Sequence, residues 1–256
     1  MSYFVQKNSI VRTIWGSGDT ILFIFAGASA EFALNKAVDW LYFTGKLPSD
    51  PIGRLFSTVS YARQIVFLPE QAANEAIDRI TAIHGAVEKG RGAKIPDWAY
   101  RDVLYMLIHY SVAAFEVLER KLSPKEKEEV FDVFYRVGSR MNLKDLPGNY
   151  EAWQTDYAKH LDNDLAKSAF TVDLFKQYKK HLGDFRYRLL LETQKLVVPG
   201  RVKTLLDFGS VSLTGFILPV YKLIRIAGFH SMVRSLLLPA AHRQKIAELD
   251  RHNYNL

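Results

Sequence analysis

Along most of this chain apolar residues recur at steps of three and four, the period of a helix. The window 20–34, TILFIFAGASAEFAL, is apolar on every side and predicts a buried central helix, with Asp19 as its N-cap. Its uncharged run from Thr20 to Ala30 is too short to cross a bilayer, and Glu31 interrupts it. Gly27, Ala28, Ser29 and Ala30 make a small-residue face, onto which another helix or a bulky cofactor could close. Residues 44–53 hold Pro48, Pro51, Gly45 and Gly53 and predict a loop, with Asp50 capping the following helix and Pro51 at its first position. Leu68-Pro69 marks a break. Beyond it Ala73, Ala76, Ile77, Ile80, Ile83, His84 and Val87 form an apolar stripe, with Glu70, Gln71, Asn74, Glu75, Asp78 and Glu88 opposite. The stripe puts His84 on the inner face, and Gly90-Arg91-Gly92 ends the helix.

Ile95-Pro96-Asp97 opens a helix over roughly 97–120 that is apolar almost all round and contains His109; such a helix belongs in the middle of a domain. Ser123-Pro124-Lys125-Glu126 is a capping box, and the helix it starts turns Val130, Phe131, Val133, Phe134, Val137 and Met141 inward until about Asn142. Residues 149–162 resume a helix with Trp153 and Tyr157 inward, and Asn163-Asp164 predicts the cap of another. His160 and His181, among lysines and other polar residues, read as surface groups. Residues 184–197 read as a helix that Val198-Pro199-Gly200 ends. The apolar stretch 205–239 is broken by Asp207, Gly209, Gly215, Pro219, Lys222 and Arg225, so no run reaches the length of a membrane span. No strand alternation persists, and the expectation is an all-α protein.

Composition narrows the chemistry. The chain has 256 residues, 48% hydrophobic and 24% charged, which suits one large domain with a sizeable core. It has no cysteine, which excludes disulfides, thiolate-ligated heme, iron–sulfur clusters and zinc–cysteine sites. The net charge of +7 is concentrated in 176–203 and in 222–245, where Lys222, Arg225, Arg234, Arg243 and Lys245 fall. Solvated helix faces account for it, and contact of the basic, apolar C-terminal part with a membrane surface is the main rival. No nucleic-acid signature accompanies the charge, so no nucleic-acid partner is expected. The N-terminus shows no signal-peptide pattern, and a cytoplasmic, potentially membrane-associated location is the expectation.

The candidate chemistry centres on His84. On periodicity alone it is either a hydrogen-bonded core residue or a ligand for iron. Arg54, Ser57 and Thr58 lie three and four residues apart on one helix face, where they could hold a carboxylate or polarise bound oxygen, or could be an ordinary helix start. There is no phosphate loop, no serine elbow, no H-E-x-x-H and no Glu-x-x-His pair for a di-iron bundle. A non-heme iron triad would have only His84, His109 and Glu31 to draw on.

Five short segments occur in a specific order: Asp50-Pro51-x-Gly53-Arg54-Leu55-x-x-Thr58; Ile80-x-x-Ile83-His84-x-x-Val87; Leu107-Ile108-His109-Tyr110-Ser111; Leu122-Ser123-Pro124-x-Glu126; and Leu218-Pro219-x-Tyr221-Lys222-Leu223. Together they resemble the MpaB-type oxygenase family, which includes the catalytic domain of rubber oxygenases, over roughly residues 10–240. The resemblance implies one helical domain over 1–256, of about ten helices around a buried pocket for heme b. It implies His84 as the axial iron ligand, Arg54, Ser57 and Thr58 as catalytic residues of the distal side, and Arg54, Thr58 and His109 as further cofactor-binding residues. Two positions depart from the family pattern. Ser57 stands where rubber oxygenases carry a lysine, and Ala30-Glu31-Phe32 stands in place of an Ala-His-Pro.

The function so implied is a heme-dependent oxygenase that cleaves or oxygenates an apolar, isoprenoid- or lipid-like substrate with dioxygen. The alternative is a non-catalytic helical protein that binds an apolar ligand or a membrane surface.

Overall fold

A computed structural model describes residues 2–45, 49–209, 218–219 and 221–223. The fold is built on α2 (Gly18–Leu34), whose residues from Gly18 to Leu34 are buried almost without interruption. Helix α1 (Ile10–Gly16) precedes it at an angle of 84° across Ser17. Ser17, not Asp19, is the N-cap of α2, its hydroxyl accepting from the Thr20 amide; Asp19 sits in the first turn, where a carboxylate meets the positive helix end. A short α3 (Asp39–Phe43) leads towards α4 (Pro51–Phe67), which starts with the expected Asp50 cap and proline. Residues 46–48 of the loop expected over 44–53 fall outside the described residues.

After the break at Leu68-Pro69 comes α5 (Glu70–Arg91), closed by Gly92 in the left-handed conformation. Next come α6 (Asp97–Leu118), α7 (Pro124–Arg140), α8 (Tyr150–Asn163), α9 (Ala169–Val197) and α10 (Gly200–Leu205). The Ser123–Glu126 capping box forms as expected. Asp164 terminates α8 rather than starting a helix; Ser168 caps α9 with Thr171 instead. Helix α9 is longer than the expected 184–197 because Gly183, at φ 75°, bends the chain while the helix continues on both sides.

Helix α2 packs against α6 on one side and α9 on another, α4 packs on α5, and α7 covers α6 and α1. One hydrophobic cluster runs through all of them, from Phe4 and Trp15 to Val197 and Val202. The small-residue face of α2 is filled by helices: a Cβ on Gly27 would lie 2.2 Å from the Tyr110 ring and 2.9 Å from Val197. Glycine is there because α6 needs the space. Among the described residues there are no strands, only isolated bridges at Tyr3–Pro69 and Asn35–Leu165. No single helix is long and apolar enough to cross a membrane. Arg225, Arg234, Arg243, Lys245 and most of 205–239 lie outside the described residues, and the described ones lend no support to membrane contact.

Candidate functional site

Arg54 and His84 lie on neighbouring helices at similar chain distances from the Leu68-Pro69 break. Two helices folded back at such a break bring the start of one to the end of the other, and α4 and α5 do pack together. The Arg54 guanidinium donates from Nη1 to Ser57 Oγ (3.2 Å) and Thr58 Oγ1 (3.3 Å). Both hydroxyls turn back on the Arg54 carbonyl, Ser57 at 2.7 Å, so the three residues expected on one face form one braced group. Burial lowers the Arg54 pKa, with the Tyr61 phenol opposing, though a guanidinium stays charged.

His84 is half-buried, as are Ile80 and Val87 on its stripe, while Ile83 is 47% exposed. The inner face of α5 therefore holds only over Ala73, Ala76 and Ile77, and the second half of the helix runs past the core. Burial is the largest cause that pushes the imidazole below its ordinary pKa; the positive charge of Arg54 adds to it and Glu88 opposes. His84 is thus a neutral base under the field of Arg54. Its Nδ1 is buried without a hydrogen-bond partner. Glu88, expected on the water face, instead turns in to accept from Tyr100 Oη (3.1 Å) and the Ile95 amide (2.9 Å).

His109, on α6, faces a different neighbourhood. Its Nε2 lies 3.3 Å from the Val197 carbonyl, and its ring stands against those of Tyr110 and Tyr157. Burial lowers its pKa, against the raising effects of Glu31 and the Val197 carbonyl. Glu31 is committed elsewhere, so the structure does not gather His84, His109 and Glu31 as ligands of one iron.

Glu31 belongs to a polar network that the periodicity did not reveal. It is fully buried and accepts from Tyr157 Oη (2.6 Å) and Tyr110 Oη (2.7 Å), with His160 Nε2 3.3 Å away. On the other side of the ring, His160 Nδ1 lies 2.6 Å from Asp102 and 3.3 Å from Asp164. Asn35 donates to the second oxygen of Asp102 (2.9 Å). His160 is only 4% exposed, so its reading as a surface group is wrong. Burial alone would lower this imidazole, but hydrogen bonds to Asp102 and Glu31 and their charges overcome it and raise the pKa to about 10. Burial pushes Asp102 up against those same bonds. Three carboxylates around one ring leave the imidazolium as the favoured form. The same burial, with Glu31, raises both phenols well above their usual range.

The signal was present in the sequence. Trp153, Tyr157, His160 and Asp164 follow one another at steps of four, three and four, and share the inward face. A charged residue in the middle of the most apolar helix demands a partner, and Glu31 pointed to one.

Asp102, His160 and Asp164 offer ligand atoms within 4.8 Å of one another, so this buried group could hold a metal ion. Two ligands of one tetrahedral metal, bound at about 2.1 Å, stand roughly 3.4 Å apart. The 2.6 Å between Nδ1 and Asp102 is a charge-assisted hydrogen bond, and an ion would have to spread it.

No curated protein and no solved structure matches the chain. A family model described as ER-bound oxygenase mpaB/B′/Rubber oxygenase, catalytic domain, matches residues 15–246 and supports an oxygenase function, with a small-molecule substrate and dioxygen. By that match, which takes in α2 through α10 and both polar groups described above, the chain belongs to the mpaB/rubber oxygenase catalytic-domain family.

Proposed function

We propose that the protein is a heme-dependent oxygenase that acts on an apolar, isoprenoid- or lipid-like substrate with dioxygen. The observation that carries this reading is His84: a neutral imidazole with a buried, unpartnered nitrogen, beside a cationic Arg54 braced by two hydroxyls. Neutral imidazole is the form that ligates iron. The donor set fits heme b, whose iron the free nitrogen of His84 would hold.

In this reading His84 would hold the iron. Arg54 supplies a fixed positive charge that can pair with a propionate or stabilise negative charge developing on oxygen. Ser57 and Thr58 fix the guanidinium and add hydroxyl donors. The bound heme would supply the dioxygen chemistry that side chains alone lack. Apolar residues of α2 and α6 would exclude water from the substrate. His109 would not bind the iron, because its Nε2 is turned to the Val197 carbonyl. Serine at position 57 leaves no lysine to compete for the iron.

The test is a UV–visible titration of the purified chain with hemin. A Soret band at one hemin per chain is expected, and His84→Ala should lose it or change its ligation signature. A full, unchanged band in that variant would refute the assignment. A wild-type protein that refuses hemin would favour the non-catalytic apolar binder.

A further inference from the structure

A histidine that binds a metal needs its ring plane fixed, because rotation about Cβ–Cγ is soft. The common solution is a hydrogen bond from the second ring nitrogen to a carboxylate or carbonyl. No such bond is seen for His84 among the described residues, and Nδ1, the nitrogen left free for iron, is buried with no partner. What touches the ring instead is Tyr100, from the first turn of α6, with ring centroids 5.1 Å apart and planes at 72°. This is the edge-to-face arrangement that aromatic rings prefer.

Tyr100 is itself held. Its hydroxyl donates to Glu88 Oε1 (3.1 Å), which also accepts from the Ile95 amide (2.9 Å). Glu88 lies one helical turn beyond His84 on α5, so the carboxylate and the imidazole rise from the same face. The loop 92–96, the phenol and the imidazole are thereby tied into one strut joining the end of α5 to the start of α6.

We propose that Tyr100, anchored by Glu88, is the positioning residue that fixes the His84 ring for heme ligation. The proposal rests on the heme reading above. Tyr100 touches neither iron nor substrate in this account; it acts through His84.

The test compares wild type with Tyr100→Leu, Tyr100→Phe and Glu88→Ala, all in the full chain, by two readouts. The first is the rate of hemin loss to excess apomyoglobin. Losing an outer-shell partner typically costs 10–100-fold in metal affinity, so Tyr100→Leu should release hemin about 10–100-fold faster. Tyr100→Phe and Glu88→Ala, which keep the ring but remove its anchor, should fall between. The second readout is nitrogen-15 NMR of the histidine rings in the heme-free protein. Wild type should show a single, sharp set of His84 ring signals, and Tyr100→Leu an averaged or broadened set.

Wild-type hemin retention together with unchanged His84 signals in Tyr100→Leu would overturn the proposal and leave the heme reading standing. If wild type takes up no hemin, the heme reading fails, and the heme-free spectra decide alone: sharp His84 signals in Tyr100→Leu overturn the positioning role. Should that variant not fold, Tyr100→Phe and Glu88→Ala carry the test, and wild-type behaviour in both would overturn it.

Discussion

His160→Gln removes the one cation from a core group that holds Glu31, Asp102 and Asp164. The amide is close in size but can donate towards only one carboxylate and carries no charge, so the buried anions lose their cationic partner and at least one loses a hydrogen bond. The rise of the imidazole from 6.5 to about 10 sets the ceiling. Each tenfold change in proton affinity is worth about 1.4 kcal/mol, so the preference for the charged ring is at most about 5 kcal/mol. Breaking a buried pair by deleting one partner costs about 3–5 kcal/mol in general. Asp102, which burial already pushes up, can take a proton in the variant and blunt the loss. The expected destabilisation is therefore near the lower end, about 3 kcal/mol at pH 6.

The pH dependence distinguishes this from lost packing. A group whose pKa is higher in the folded state contributes all its stability below the unfolded value, near 6.5 here. That contribution declines as pH climbs and is gone once pH passes about 10. Urea unfolding of wild type and His160→Gln at pH 6 and pH 9.5 would show it, because groups common to both proteins cancel in the difference. The gap should be about 3 kcal/mol at the lower pH and mostly absent at the higher. A gap of the same size at both values, or one below about 1 kcal/mol at pH 6, would refute an imidazolium in the core.

Gly27→Ala should destabilise the protein by about 2 kcal/mol. Overpacking costs about 1–3 kcal/mol; a Cβ 2.2 Å from Tyr110, which Glu31 holds, puts this clash at the upper end, about 3 kcal/mol, against the roughly 1 kcal/mol that alanine gains in a helix. At about 2–4 °C per kcal/mol, calorimetry should show a melting temperature lower by roughly 4–8 °C, and an unchanged one would contradict the close approach of α2 and α6. Ser123→Ala should cost about 1 kcal/mol through loss of the bond to the Glu126 amide, measured by urea unfolding; no change would show that the cap does not support α7.

Helices were legible wherever a start signal stood beside a periodic run. Asp50-Pro51 and Ser123-Pro124-Lys125-Glu126 placed α4 and α7 at their observed starts, because caps are local chemistry that needs no tertiary partner. Asp19 and Asp164 misled for one reason. An acidic residue near a helix end can be the cap, a first-turn charge facing the macrodipole, or the last residue, and composition does not tell these apart. The length of α9 went unseen because Gly183, at φ 75°, bends the chain between its two halves.

The candidate site was legible by halves, and the dividing line is whether the partners are close in sequence. Arg54, Ser57 and Thr58 share one turn of helix, so their mutual bracing follows from spacing alone. His84 was harder: periodicity set it inward, but α5 outruns the core, and its real surroundings come from Arg54, Glu88 and Tyr100 on three different segments. The His160 network lay further out of reach. Its members stand on α2, α6 and α8, and Lys159 beside His160 made the segment look solvated although the next turns carried Trp153 and Tyr157 inward. A neighbour in sequence points about 100° away on a helix and says nothing about burial, whereas residues three and four away do. Applied to His160, that rule seats it on the Tyr157 face, and Glu31, an anion inside an apolar helix, becomes its natural counter-charge. The carboxylate inside the central helix draws its compensating cation from α8, so the contact that ties these two elements is one of charge, which apolar periodicity does not register.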